Sequence, residues 1–142
     1  MTGRNRQTTF AMLDEAEGKK WTISAEDAEL PLPKWYKSVR DTPIDLLTVR
    51  DLGIACRQNV HMPEILPIVL SRLESDPLAG SKYEGELLAA VASIPTTFWK
   101  QHQRDAERAT SIIRKSIGRM DEEQRQDAVR LLRIVRTEYE AR

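Results

Sequence analysis

The residue types that most often carry chemistry are scarce in this chain, which has two histidines, His61 and His102, and one cysteine, Cys56. His61 and Glu64 are one helical turn apart, close enough to share a metal ion. A protein metal site usually needs three or four ligands, and no third one follows at a workable spacing. No zinc, calcium-loop or nucleotide-phosphate motif occurs in the sequence. The pattern therefore predicts no metal site and no cofactor.

Cys56 is a candidate nucleophile only if a histidine far away in the sequence serves as its base. It shares an apolar helical face with Val49 and Leu52, which favours a buried and unreactive thiol. A lone cysteine also excludes an internal disulfide and suits a reducing compartment. The 22 acidic residues show no spacing that singles out an acid–base pair. We expect no catalytic residue, and the sequence predicts that the protein is not an enzyme.

The carboxyl-terminal part of the chain is weakly basic, with 11 basic and 8 acidic residues from Lys100 onward, although the whole chain has 22 of each. Four arginines on the last predicted helix could follow the phosphates of a nucleic acid: Arg125, Arg130, Arg133 and Arg136. Opposite charges four residues apart on a helix neutralise each other, and acids are interleaved with this row: Glu122, Glu123, Asp127, Glu138 and Glu140. The pattern favours a solvated face. A helical nucleic-acid-binding or regulatory module is the alternative.

An acidic, turn-rich stretch separates two apolar runs: "DPLAGSKYEGELL", residues 76–88. Together with Glu74, two residues before it, the stretch carries four acids and one base: Glu74, Asp76, Lys82, Glu84 and Glu86. In an ordinary helix connection, Pro77 and Gly80 would make the turn, the acids would fill the first turn of the next helix, and Tyr83 would pack down. That interpretation explains the residue types but not the length of the connection. The stretch could instead be a surface that the protein presents to a partner.

The elements that position these residues are predicted to be helices, because apolar residues recur at helical spacing and strand and hairpin signals are missing. We predict an all-α fold, a single compact domain of six or seven helices with short loops. Residues 1–20 are expected to be loosely ordered, with at most a short helix around "FAMLDEAE", and residues 21–142 to form the domain. The predicted helices are "KWYKSVRD", 49–58, "EILPIVLSRLE", 83–94, "PTTFWKQH", 103–118 and 122–141.

Several helix ends carry local signals. Pro31 and Pro33 are expected to force extended backbone before them. Asn59 is a plausible left-handed stop after the helix over 49–58, and Pro63 fits the first position of the next helix. Asp121 followed three residues later by Gln124 resembles a capping box, in which two side chains bond reciprocally to each other's backbone amides.

No membrane span or secretory signal is predicted. The longest apolar runs, "ILPIVL" and "LLAAVASI", are far shorter than the roughly 20 residues that a bilayer requires, and the first 21 residues lack the apolar core of a signal peptide. A net charge of zero gives no general attraction to nucleic acid or anionic lipid. We expect a cytoplasmic protein.

The segment from Thr42 to Trp99, "TPIDLLTVRDLGIACRQNVHMPEILPIVLSRLESDPLAGSKYEGELLAAVASIPTTFW", resembles the immunity proteins of contact-dependent growth inhibition (CDI) systems. Upstream, "TTFAMLDEAEGKKW" is similar to the family's leader, so the resemblance covers roughly residues 8–100. Glu86 departs from the aspartate that the family more often has, and nothing after Trp99 matches. The residues that carry the resemblance are Pro43, Leu47, Thr48, Asp51, Leu52, Gln58, Leu66, Pro67, Leu70, Leu73, Asp76, Pro77, Leu78, Tyr83, Gly85, Glu86, Leu87, Leu88, Phe98 and Trp99.

The resemblance implies an immunity-type domain over residues 21–142. Such a protein is a non-enzymatic inhibitor that stays in the producer's cytoplasm and binds the C-terminal toxin domain delivered by sibling cells, neutralising it by non-covalent occlusion. Family toxins are often nucleases, and acids can compete for the basic residues that a nuclease presents to phosphates. The cognate toxin domain is the expected partner, with no membrane and no direct nucleic-acid binding expected, and the oligomeric state is open.

The candidate toxin-binding residues are those of the acidic stretch, with Tyr83 as a rigid anchor. They are Glu74, Asp76, Lys82, Tyr83, Glu84 and Glu86. Turn chemistry and interface rims use the same residue types, so these side chains could define the fold instead. In that case the toxin contacts would come from other surface, such as the last two helices.

Overall fold

The computed structural model describes the backbone of residues 8–140 and the side chains of residues 8–135. All regular structure in this part of the chain is helical, which confirms the all-α prediction. The α-helices are α1 (Phe10–Ala16), α2 (Pro31–Val39), α3 (Val49–Gln58), α4 (Met62–Ser75), α5 (Glu86–Ala92), α6 (Thr96–Gln101), α7 (Gln103–Ser116) and α8 (Glu122–Glu140). Two short 3₁₀ helices span Ile44–Leu46 and Ile117–Arg119.

The described residues thus form eight α-helices rather than six or seven, because the short segment around "FAMLDEAE" is a true helix. Thr9 caps it by accepting a hydrogen bond from the Met12 N–H at 3.1 Å. Its first residue, Phe10, is fully buried. The chain divides into two compact units, Met1–Thr48 and Val49–Arg142. The boundary at residue 20 and the single domain stay predictions.

The first unit is organised by α1 and α2. Phe10 stacks on Tyr36 with 5.5 Å between the ring centroids. The Tyr36 hydroxyl donates a 2.6 Å hydrogen bond to Oδ2 of Asp14, and burial together with this bond raises the pKa of Tyr36 above its ordinary value. Leu30 has the extended backbone expected before Pro31, but α2 begins at Pro31, so Pro33 lies inside the first helical turn. The prediction of extended backbone before Pro33 was wrong, since proline is tolerated in a first turn whose N–H groups have no helical partner.

The second unit begins with α3 and α4, whose ends follow the predicted signals. Asn59 has a φ of 55°, the left-handed conformation expected after α3. Pro63 lies in the first turn of α4, and Pro67 is accommodated inside that helix. Cys56 is buried as predicted, and the loss of solvation raises the pKa of its thiol to about 12, which keeps it protonated and unreactive at neutral pH.

In the second unit, α4 contacts α3, α5 and α7, and α5 also contacts α3 and α8. The last helix, α8, contacts α6 and α7 in addition to α5. The nearly continuous apolar pattern of α4 predicts a central position for Ile65, Leu66, Ile68, Val69, Leu70 and Leu73. All of these residues are buried except Ile68, which is half-buried. The helix predicted over 83–94 begins only at Glu86, and the one predicted over 103–118 ends at Ser116. None of the helices within residues 8–140 is long and apolar enough to cross a membrane.

Candidate functional site

The acidic stretch forms a loop between α4 and α5, here called the 76–85 loop, and Asp76 shapes its beginning. The Asp76 backbone is extended and ends α4. Its Oδ1 accepts a hydrogen bond from the Leu78 N–H at 3.2 Å, and its carbonyl accepts one from the Ala79 N–H at 3.1 Å. A side chain that bonds to its own backbone two residues on is the usual aspartate contribution to a turn. Asp76 therefore fixes the direction in which the chain leaves α4, while remaining exposed.

Gly80 lies where two parts of the loop backbone meet. A Cβ atom placed on Gly80 would be 1.8 Å from the carbonyl oxygen of Tyr83. Cβ atoms in proteins essentially never approach another heavy atom so closely. The overlap could not be relieved by a side-chain rotation, because the Tyr83 carbonyl belongs to the backbone. The fold therefore requires glycine here so that the chain can double back against itself.

The two ends of the loop are joined by hydrogen bonds between backbone groups. The Gly85 N–H donates to the Leu78 carbonyl at 2.9 Å, and the Leu87 N–H donates to the Ala79 carbonyl at 3.1 Å. Gly85, which precedes α5, has a φ of 89°, a conformation that glycine adopts without strain. These bonds explain the length of the connection, because the chain must turn back far enough to close on itself. The backbone of the loop is consequently fixed at both ends.

Glu86 closes the loop from the inside. Its side chain is buried, and Oε1 accepts hydrogen bonds from the Lys82 N–H at 3.0 Å and the Ser81 N–H at 2.7 Å. The N–H of Lys82 has the largest effect on the Glu86 carboxyl and that of Ser81 the next largest, and both lower its pKa because they stabilise the charged form. Glu86 thus holds the tip of the loop, and its carboxylate is not presented on the surface.

Lys82, Tyr83 and Glu84 form the exposed tip of the loop. The side chain of Tyr83 is 56% exposed, so it does not pack down as it would in an ordinary connection. Large aromatic side chains are usually buried in a small helical protein, and an exposed one on a fixed backbone is therefore informative. The tip presents one aromatic ring between a positive and a negative charge.

Glu74 lies at the end of α4 and takes part in a contact between α4 and α7. Its Oε1 accepts a 2.5 Å hydrogen bond from Arg108, whose guanidinium also donates to the Ser71 hydroxyl at 2.8 Å and to the Pro67 carbonyl at 3.2 Å. The hydrogen bond from Arg108 lowers the pKa of the Glu74 carboxyl. Sequence reasoning missed Arg108, since nothing in the spacing links it to an acid 34 residues away.

The sequence identifies Gln124, in the first turn of α8, only as a capping residue, and sequence reasoning missed its contact with the 76–85 loop. Its backbone N–H donates to Oδ1 of Asp121 at 2.8 Å, and its Oε1 accepts from the Asp121 N–H at 3.0 Å, so the predicted capping box is confirmed. The other end of the same side-chain amide donates from Nε2 to the carbonyl of Glu84 at 3.3 Å. The capping box signal reveals the first role, but no local signal reveals the second.

The arginine row of α8 is interrupted by acids as the sequence predicts. Arg130 donates to Oδ1 of Asp127 at 3.0 Å, and Arg125 makes a 3.5 Å bond from Nε to the carbonyl of Ile117. Arg133 is exposed. The side chain of Arg136 lies outside the described residues, as do those of Glu138 and Glu140. Nucleic-acid binding by this row stays a prediction.

A family model of CDI immunity proteins matches residues 15–109, about two thirds of the chain. The chain therefore belongs to the CDI immunity protein family. The match confirms the resemblance found in the sequence, although it begins and ends a few residues later than residues 8–100. The 76–85 loop lies inside the matched region, whereas α8 and Gln124 lie beyond it. A search among curated proteins gave no match.

Proposed function

We propose that this immunity protein neutralises the C-terminal toxin domain of its CDI system by binding it non-covalently, with the exposed tip of the 76–85 loop as a contact surface. Family membership supports the class of partner. The observation that supports the surface is Tyr83, 56% exposed on a loop that hydrogen bonds hold at both ends. A rigid aromatic side chain is a typical binding hot spot, because little conformational entropy is lost when it enters a pocket.

The charges around Tyr83 indicate the chemistry of the partner. Asp76 and Glu84 are exposed acids, and Lys82 is the exposed base between them in sequence. A surface with a small excess of negative charge complements a basic groove such as the one a nuclease uses for phosphates. Inhibition would then result from occlusion of that groove, with no chemical step carried out by the immunity protein.

The six predicted contact residues take two different parts in this proposal. Asp76, Lys82, Tyr83 and Glu84 are exposed and available to a toxin. Glu86 is buried, and the hydrogen bonds to its carboxylate hold the tip of the loop in place. Glu74 pairs with Arg108 and supports the end of α4 that leads into the loop. We therefore propose that Glu74 and Glu86 act by positioning the contact residues.

The test is a titration of the cognate toxin domain with Tyr83→Ala and Glu84→Lys. Loss of a central aromatic anchor typically costs about 2 kcal/mol, so Tyr83→Ala is expected to weaken binding about 30-fold. Glu84→Lys is expected to slow association, because it reverses a charge that attracts a basic partner. Glu86→Lys is unsuitable as a test, since a lysine there would remove the bonds that hold the loop.

Two substitutions outside the loop serve as matched controls. Leu46→Ala removes an apolar side chain that is also more than half exposed, and Glu26→Lys makes the same charge change at another exposed position. Both are expected to leave toxin affinity unchanged. Wild-type affinity and association rate in both Tyr83→Ala and Glu84→Lys would remove the loop from the proposed interface.

A further inference from the structure

We propose that Gln124 is a positioning residue for toxin binding, which holds the 76–85 loop of the immunity protein in the conformation that meets the toxin. This inference rests on the proposed function, because it assigns the pose of the proposed contact surface to a side chain 40 residues further along the chain. Gln124 does not present itself to a partner, since only 8% of it is exposed.

Both ends of the Gln124 side-chain amide are used, and they serve different elements. Oε1 accepts the hydrogen bond that caps α8, while Nε2 donates to the Glu84 carbonyl at 3.3 Å. The cap fixes the Gln124 side chain relative to α8, which in turn packs against α5. The Glu84 carbonyl is therefore bonded to a side-chain amide that the capping box already fixes in position. Support of this kind keeps a functional residue in one geometry.

Gly85 leaves room for the Gln124 side chain because it has no Cβ atom. A Cβ atom at Gly85 would lie 2.9 Å from Cγ of Gln124, so the missing side chain gives the glutamine stem its place beside the loop. The peptide group that carries the Glu84 carbonyl joins Glu84 to Gly85, immediately after the exposed Tyr83 and Glu84. Movement of this peptide would carry the Tyr83 ring with it, and a loosened anchor must be ordered again at the moment of binding.

Gln124 and the loop that it contacts differ in their relation to the family match. The 76–85 loop lies within residues 15–109, but Gln124 lies after them. A loop inside the matched region is thus supported by a residue outside it.

Gln124→Glu separates the two roles of the amide. Glutamate at this capping-box position still provides the oxygen that accepts the Asp121 N–H. It replaces the Nε2 donor with an oxygen facing the Glu84 carbonyl, so the bond to the loop is lost. Gln124→Met, which removes both bonds at nearly constant volume, gives a second, uncharged variant. Gln126→Glu makes the same chemical change at an exposed position of α8 and is the matched control.

Two measurements test the inference. Hydrogen exchange in the free protein reports the loop directly through the Gly85 amide, which bonds to the Leu78 carbonyl. Toxin titration of Gln124→Glu, Tyr83→Ala and the double variant forms a double-mutant cycle. It reports whether the effects of Gln124 and Tyr83 on toxin affinity are coupled. We expect exchange at Gly85 to accelerate at least several-fold in both Gln124 variants, and affinity to fall about tenfold in Gln124→Glu. Most of that loss should vanish when Tyr83 is already alanine, whereas a merely structural role would give the same loss in both backgrounds.

Unchanged exchange at Gly85 in both Gln124 variants would overturn the inference. Faster exchange with wild-type toxin affinity in the Gln124 variants would also overturn it, because the loop would then be held by Gln124 without consequence for binding. A different result would contradict the proposed function, namely that Tyr83→Ala and Glu84→Lys bind the toxin like the wild type. The Gln126→Glu control should match the wild type in both measurements.

Discussion

The 76–85 loop has an inner side, where Gly80 and the adjoining Glu86 contact the loop backbone, and an outer side, where Tyr83 and Glu84 are exposed. Each side has an acidic residue, but the two acids have different roles. Glu86 is buried with its carboxylate bonded to two backbone amides, whereas Glu84, two residues earlier, is exposed. Gly80 faces the backbone of the loop itself, while Tyr83 extends its ring into solvent. The comparison shows that an acidic stretch is not automatically an acidic surface. Glu86 stabilises the loop, whereas Glu84 is available to a partner.

The largest expected effect is on the inner side, at Gly80. Gly80→Ala places a methyl group against the Tyr83 carbonyl, and the backbone must move to relieve the overlap. We expect the free energy of unfolding to fall by about 3 kcal/mol, at the upper end of the usual cost of overpacking. Urea denaturation followed by circular dichroism measures this loss.

Gly118→Ala is the matched control for Gly80→Ala, because a Cβ at Gly118 has no atom within 4 Å and its φ is not positive. It is expected to change stability by less than about 0.5 kcal/mol, as surface substitutions usually do. If Gly80→Ala were as stable as Gly118→Ala, the inner side of the loop would not be packed as the structure describes.

A smaller and pH-dependent effect is expected at Glu86. Glu86→Gln keeps an oxygen that can accept hydrogen bonds but loses the charge that strengthens them, so we expect a loss of about 1 kcal/mol at pH 7. The pKa of Glu86 is lowered on folding, so the folded protein binds fewer protons there than the unfolded chain. Its contribution is fully present above the unfolded pKa of about 4.3 and disappears as the pH falls through the lower folded pKa.

The measurement is the difference in unfolding free energy between wild type and Glu86→Gln from pH 7 down to pH 3. The difference should be largest at neutral pH and shrink below about pH 4.3. Glu84→Gln, the matching change on the outer side, is expected to show no difference at pH 7. Equal losses for the two variants would contradict the division of the loop into two sides.

The sequence predicts correctly those features of the fold that depend on residues close together in the chain. The left-handed Asn59, the proline in the first turn of α4 and the capping box of α8 involve residues at most a few positions apart, and all three are present. The family was also predictable, because the order and spacing of many residues carry it. The burial of Cys56 followed from the apolar face that it shares with Leu52.

The sequence was insufficient where residues far apart in the chain decide the outcome. The acids and leucines that continue the helical pattern predict that α5 begins at residue 83, but the closure of the loop delays its start to Glu86. Periodicity cannot tell Glu84 from Glu86, since only the folded loop places the amides of Ser81 and Lys82 around one of them. The bond from Gln124 to the Glu84 carbonyl likewise has no signature outside the structure.

The central claim is that the outer side of the 76–85 loop meets the toxin, and amide hydrogen exchange tests it most directly. The protein would be measured alone and saturated with its cognate toxin domain. We predict slower exchange in the complex for the peptide segment containing residues 82–84. Slowing confined to α7 and α8, with exchange at residues 82–84 the same in the free and bound protein, would contradict the account.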